Sequence, residues 1–134
     1  MRNVSDVAYL DASALVKLSL EEDHSAALRQ ATPSWAHLVS SRLAVVEVLR
    51  TARRRDPAAE PTARDVLSHA ALVALTDRIL YAATQLHPGG LRSLDAIHLA
   101  TALRLGDALA AFVSYDERHL ETAATLGLPV VLPR

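Results

Sequence analysis

Short apolar runs recur along the chain at Val7–Leu10, His37–Ser40, Leu72–Leu75, Ala110–Ser114 and Pro129–Leu132. The first, Val7-Ala8-Tyr9-Leu10, is apolar without alternation. That is the pattern of a strand buried on both faces, and such strands belong to parallel sheets. Between the runs lie segments that predict helices: Ala12 to about Leu20, a short one through Gln30, Arg42–Arg55, Thr62–Ala70, Asp77–Leu86, Ser93–Leu105 and Glu117–Leu126. Asp23, Ser40 or Ser41, Thr76 and Ser93 stand where N-caps are expected. In the helix from Arg42 the apolar positions are Leu43, Val46, Val48 and Leu49. Thr32-Pro33-Ser34, the loop Asp56–Pro61, His87–Gly90, Gly106 and Gly127 punctuate the elements. Helices alternating with strands predict right-handed crossovers and an α/β class, a single three-layer α/β/α domain over residues 1–134 around a parallel sheet of four to five strands.

Composition narrows the class further. At 51% hydrophobic and 22% charged residues the chain is globular, and with 4% aromatics its core must be filled by Ala, Leu and Val. The absence of cysteine excludes a disulfide framework and a thiolate metal site. No apolar stretch is long enough to cross a membrane and the N-terminus lacks a signal-peptide pattern, so a cytoplasmic protein with no membrane role is expected. A net charge of −1 excludes a globally basic nucleic-acid binder, leaving only a local patch for such a role.

Candidate chemistry begins where the apolar runs stop. Asp11 directly follows the first run, and Asp116 follows the fourth within two residues. If those strands are neighbours, both carboxylates face the crevice where open α/β sheets keep ligands. Asp95 sits in the first turn of its helix and Glu47 in the middle of another. Taken singly, each acid has a plainer reading: Asp95 and Asp116 as helix-start residues and Glu47 as a solvated side chain. Taken together, four segments could send carboxylates to one place. Two like charges ~4 Å apart repel by about 4 kcal/mol at an effective dielectric of 20, so such a cluster needs retained protons or a cation. All-oxygen ligands suit Mg²⁺ or Mn²⁺.

Other side chains add less. The six histidines show no pair at metal-ligand spacing, and His98, inside an apolar helix, reads as packed and hydrogen-bonded. Ser13 lacks a Ser-His-Asp context, and it stands where a DxD phosphotransferase or phosphatase would need its second Asp. The basic run from Arg50 to Arg55 can be a solvated helix end. Arg50 and Arg54 share the helix of Glu47, however, and could hold a phosphate backbone beside the acids.

YLDASALVKL, VVEVLRTARR, LRSLDAIHLATAL and FVSYDERHLETAATLGLPVV occur in this order and resemble the PIN-domain family, specifically its VapC-type toxins. The likeness spans about Val7 to Pro133 and is most specific in LRSLDAIHLATAL and VSYDERHL. The family's acidic quartet falls on Asp11, Glu47, Asp95 and Asp116, and its small hydroxyl residue after the first Asp on Ser13. The resemblance implies an α/β/α fold and an Mg²⁺-dependent endoribonuclease, with Mn²⁺ able to substitute. It also implies a toxin of a toxin–antitoxin pair, a homodimer, and a cognate antitoxin whose tail covers the site. On this reading Asp11, Asp95 and Asp116 hold metal, and Glu47 completes the ligand set or orients the attacking water. A flap-type DNA nuclease using the same acids and a catalytically idle RNA- or antitoxin-binding module are the alternatives.

Overall fold

In the computed structural model, which describes residues 6–134, the apolar runs become five strands: β1 (Val7–Leu10), β2 (His37–Ser41), β3 (Ala71–Val73), β4 (Leu109–Val113) and β5 (Val130–Val131). They form one sheet, ordered β3-β2-β1-β4-β5, and every pairing is parallel. The helices are α1 (Ala12–Ser19), α2 (Ser25–Ala31), α3 (Leu43–Arg55), α4 (Glu60–Ser68), α5 (Asp77–Thr84), α6 (Ser93–Leu103) and α7 (Glu117–Thr125).

The middle strand β1 shows why the run at Val7–Leu10 has no polar face. Ala8 and Leu10 pack into one core with Leu15 of α1, Leu28 of α2, Val48 of α3 and Leu67 of α4. Tyr9, pointing the other way, packs with Leu99 of α6, Phe112 of β4 and Ala123 of α7. The period-2 alternation of a strand thus feeds two separate cores, one on each face of the sheet, which makes three layers. The chain runs outward from β1 through β2 to β3, then crosses back to place β4 on the other side of β1. The strand order therefore reverses between β1 and β4. At such a switch point the flanking loops diverge and leave a crevice at the carboxyl ends of the strands.

Several boundaries depart from the sequence expectation. The stretch expected as a loop from Asp56 to Pro61 is a short 3-10 turn, Pro57–Ala59, leading into α4 at Glu60. Pro61 does not interrupt α4 because the first turn has no intrahelical N–H to lose. β3 begins at Ala71 rather than Leu72 and is shorter than expected. In α3 the buried stripe is Ala44, Val48 and Ala52, one residue per turn, and Val46 is exposed. Thr76 caps α5 as expected, accepting from Ile79 N at 3.2 Å, whereas the cap position of α3 falls to Arg42, and Ser41, one residue earlier, accepts from Leu43 N at 3.1 Å. Asp23 and Ser93 do not cap. Ser93 is the first residue inside α6, and Arg92 occupies the cap position without a side-chain bond.

Ahead of α2 the cap position falls to His24, in the left-handed region at φ 71°. The buried hydroxyl of Ser25 ties the turn together instead, accepting from Glu22 N at 3.0 Å and donating to Lys17 O at 2.7 Å. This hydroxyl joins α1 to α2 beneath the wall of the crevice. Replacing it with Ser25→Ala strips a partner from Glu22 N, Lys17 O and Leu20 O and should lower unfolding free energy by about 1–3 kcal/mol. Denaturant titration of the two proteins checks this, and equal midpoints would contradict it.

Candidate active site

Asp11 and Asp116 stand at the carboxyl ends of β1 and β4, the two strands that flank the switch point. Each is also the N-cap of the helix that follows. Asp11 Oδ1 accepts from Ala14 N at 3.1 Å, and Asp116 Oδ1 accepts from Arg118 N at 3.0 Å and His119 N at 3.3 Å. The plainer reading of Asp116 as a cap is therefore correct for one of its oxygens. The same cap geometry fixes the carboxylate so that its second oxygen faces the crevice.

Asp11 is 4% exposed. Its Oδ1 also accepts from Ser13 Oγ at 2.6 Å, and its Oδ2 accepts from His119 Nδ1 at 2.8 Å. Ser13 in turn accepts from Tyr115 N at 2.8 Å, so one hydroxyl ties the loop after β4 to the carboxylate after β1. Burial pushes the Asp11 carboxyl up, but hydrogen bonds from His119 and the neighbouring Ser114 and Ser13 hydroxyls outweigh it and hold the pKa below the usual 3.8. His119 moves the opposite way: burial lowers its pKa, yet the bond to Asp11, with Asp95 close by, raises it above 6.5.

Asp95, in the first turn of α6, places Oδ1 4.0 Å from His119 Nδ1. Its Oδ2 accepts from Arg92 Nε at 3.2 Å, and Arg92 Nη2 reaches Asp116 Oδ2, also at 3.2 Å. Three carboxylates from three segments are thus strung together by two basic side chains, Arg92 and His119. Among the described residues no three His, Asp or Glu side chains converge as a ready-made metal cage. Arg92 and His119 hold these carboxylate oxygens instead. The donors themselves are all carboxylate oxygens, which fits a hard divalent cation.

Glu47 belongs to the other side of the crevice. Its Oε1 accepts from His98 Nε2 at 2.7 Å, and His98 Nδ1 lies 2.6 Å from Tyr9 Oη. His98 is packed and hydrogen-bonded, as its apolar helix implied. Glu47 lines a groove of about 610 Å³ together with Ser13, Arg50 and Arg54. Asp95, Asp116 and His119 line a separate hollow of about 160 Å³ beyond. The structure therefore links Asp11, Asp95 and Asp116 in one network and sets Glu47 at its own mouth.

Sequence reasoning passed over Arg92, His119 and Tyr9. His119 is three residues after Asp116, one turn along α7, which was the only local signal of it. Arg92 was hidden by the serine beside it, which looked like the cap.

The PIN domain family model matches residues 8–125. A protein of Mycobacterium tuberculosis named Ribonuclease VapC46 is 44% identical over 125 residues, covering 93% of this chain and 96% of that protein. Ribonuclease VapC47 of the same species is 35% identical over 130 residues, with the same coverage. Among solved structures, that of M. tuberculosis VapC20, titled a Sarcin-Ricin loop cleaving toxin, superposes with a TM-score of 0.74 at 16% identity, over 94% of this chain and 99% of that one.

The Asp11–His119 pair changes what removal of the Asp11 charge should do. Crowding of like charges alone would make its loss stabilising, but here the charge is already paired. In metal-free protein, Asp11→Asn should lower unfolding free energy by about 1–3 kcal/mol, the range for a hydrogen bond to a charged group. The pH dependence has two limbs. The contribution of Asp11 is present above pH 3.8 and lost as pH falls through its lowered folded pKa. That of His119 is full below pH 6.5 and lost as pH rises through its raised folded pKa. Denaturant titrations across pH should show the parent losing stability above pH 6.5 and Asp11→Asn losing much less; parallel curves would contradict the pairing.

Proposed function

This chain belongs to the PIN-domain family, and from that premise we propose that it is a metal-dependent endoribonuclease, the toxin of a toxin–antitoxin pair, hydrolysing RNA phosphodiester bonds at the carboxyl edge of the sheet. The carrying observation is the gathering of Asp11, Asp95 and Asp116 at the switch point, with Glu47 facing a groove of about 610 Å³ alongside. The relatives named ribonucleases, aligned over 93% of this chain, support the activity.

Asp11, Asp95 and Asp116 would hold Mg²⁺, with Mn²⁺ as a substitute. When bound, the ion lowers the pKa of an attacking water and neutralises charge growing on the phosphate. Asp11 is presented by its cap bond and by Ser13, so it enters the site already oriented. Arg92 balances Asp95 and Asp116 in the ion's absence and, being mostly exposed, is free to swing toward a phosphate. Glu47 accepts a proton from, or orients, the attacking water at the mouth of the groove. Arg50 and Arg54 have no acidic partner within 4.0 Å among the described residues, unlike Arg53, Arg55 and Arg64, so their charge is available to an RNA backbone.

The partners follow from the same surface. Exposed Val46 and Leu94 line the groove beside Arg50, Arg54 and Arg55. An antitoxin tail combining apolar and acidic residues would lie there and block the acids. Leu80 and Tyr81 on α5 expose further apolar surface, which supports a homodimer. Among the described residues no helix is long and apolar enough to cross a membrane; as a toxin of this kind it would act on cellular RNA in the cytoplasm.

Sequencing RNA ends after brief expression tests the activity and would name the target. New ends should accumulate with the parent and vanish with Asp95→Asn; cleavage confined to DNA, or ends unaffected by Asp95→Asn, would overturn the proposal. The arginines are tested by salt dependence. Each phosphate neutralised steepens the fall of log affinity with log salt by ~0.7 for single strands. Arg50→Ala/Arg54→Ala should therefore flatten the slope by roughly one to two units and weaken RNA binding, with the fold intact. An unchanged slope would leave these arginines without a role in RNA contact.

A further inference from the structure

We propose that Tyr9 and His98 form a buried positioning relay that fixes the orientation of Glu47 toward the groove. The inference rests on the catalytic role proposed above for Glu47 and adds two residues that never meet the substrate. Both are interior: Tyr9 is 0% exposed and His98 is 2% exposed. Tyr9 is itself immobilised by its ring, which stacks on Phe112 with centroids 5.6 Å apart and planes within 3°.

The polarity of the chain is set from its outer end. A carboxylate can only accept, so His98 Nε2 carries the proton that it shares with Glu47 Oε1 at 2.7 Å. In the neutral imidazole Nδ1 is then the acceptor, and the Tyr9 hydroxyl donates to it at 2.6 Å. In the neutral ring this arrangement satisfies all three groups. Rotating Glu47 away would leave a buried N–H without a partner, and flipping the His98 ring would break both bonds at once. One carboxylate oxygen is consumed by this restraint, which leaves Oε2 for the groove that Glu47 lines.

Such an arrangement makes sense of the location of Glu47. It sits in the middle of α3, on a flexible side chain that no cap holds, whereas Asp11 and Asp116 are fixed by backbone donors at helix starts. A mid-helix glutamate has no backbone N–H to accept from, so its orientation must come from another side chain. His98, one turn beyond Asp95 on α6, supplies it across the crevice.

The test combines steady-state RNA cleavage with ¹⁵N NMR of the metal-free protein. His98→Leu should cut kcat about 10- to 100-fold, the range for loss of a supporting hydrogen bond to a site residue, with KM changed by less than about twofold because the arginine patch is untouched. His98→Gln, which can still present a donor to Glu47, should recover most of kcat. Tyr9→Phe keeps the ring stack and should lower kcat by a smaller factor. In the NMR arm His98 should carry its proton on Nε2 in the parent and in Tyr9→Phe, because Glu47 sets it, and lose that preference in Glu47→Ala. Glu47→Gln separates the two claims. If it keeps parental kcat, the catalytic role of Glu47 fails and the tautomer measurement alone judges the relay. If it is inactive while folded His98→Leu, His98→Gln and Tyr9→Phe all cleave like the parent, the relay is overturned. An Nδ1–H tautomer in the parent, or an unaltered Nε2–H preference in Glu47→Ala, overturns it too, even if His98→Leu does not fold.

Discussion

Repulsion among carboxylates gathered at one edge of the sheet is the constraint around which this structure is arranged. Asp11, Asp95 and Asp116 come from three segments and would destabilise the fold if left facing one another. The molecule answers with two bases. His119 lies between Asp11 and Asp95, and Arg92 bridges Asp95 and Asp116. The contrast between the two bases matters. His119 is buried and held, while Arg92 is exposed and hinged at a helix start. One is a titrating base locked between two acids; the other is a permanent cation on an exposed side chain.

The carboxylates are held by the same devices that start the helices. At Asp11 and Asp116 one oxygen caps a helix and the other meets a base, His119 or Arg92, so folding of α1 and α7 orients the acids. The switch in strand order between β1 and β4 brings those two helix starts together. Backbone topology therefore does most of the work of assembling the network, and Ser13 and His119 only trim it. Glu47 lies outside this scheme, in mid-helix, and depends on side-chain contacts reaching back to Tyr9 in the central strand.

Much of this was legible in the sequence because the signals are local. An unbroken apolar run ending in an acid marks β1 with Asp11, and a similar one marks β4 with Asp116. The position of Asp95 in a first turn and of Glu47 in mid-helix also followed from periodicity. What was missed is long-range. The Asp11–His119 bond joins residues 108 apart and the Arg92–Asp116 bond residues 24 apart, and no local pattern encodes either. Local rules failed at caps where tertiary partners compete. Ser93 lies one position inside α6 because Arg92 takes the turn before it, and Asp23 gives way to the Ser25 hydroxyl. The exposure of Val46 had a plainer cause, since Ala44, Val48 and Ala52 form the stripe that faces the core.

The claim at the centre of this account is that the carboxylates at the switch point are held ready for a divalent ion. Thermal unfolding at increasing Mg²⁺, comparing the parent with Asp95→Asn/Asp116→Asn, tests it without requiring RNA. An ion that binds only the folded state stabilises it by about 2.7 kcal/mol at a hundred times its Kd. The Tm of the parent should therefore climb with Mg²⁺ while that of the double variant stays nearly flat. A parent Tm indifferent to Mg²⁺, or an equal rise in both proteins, would contradict the account.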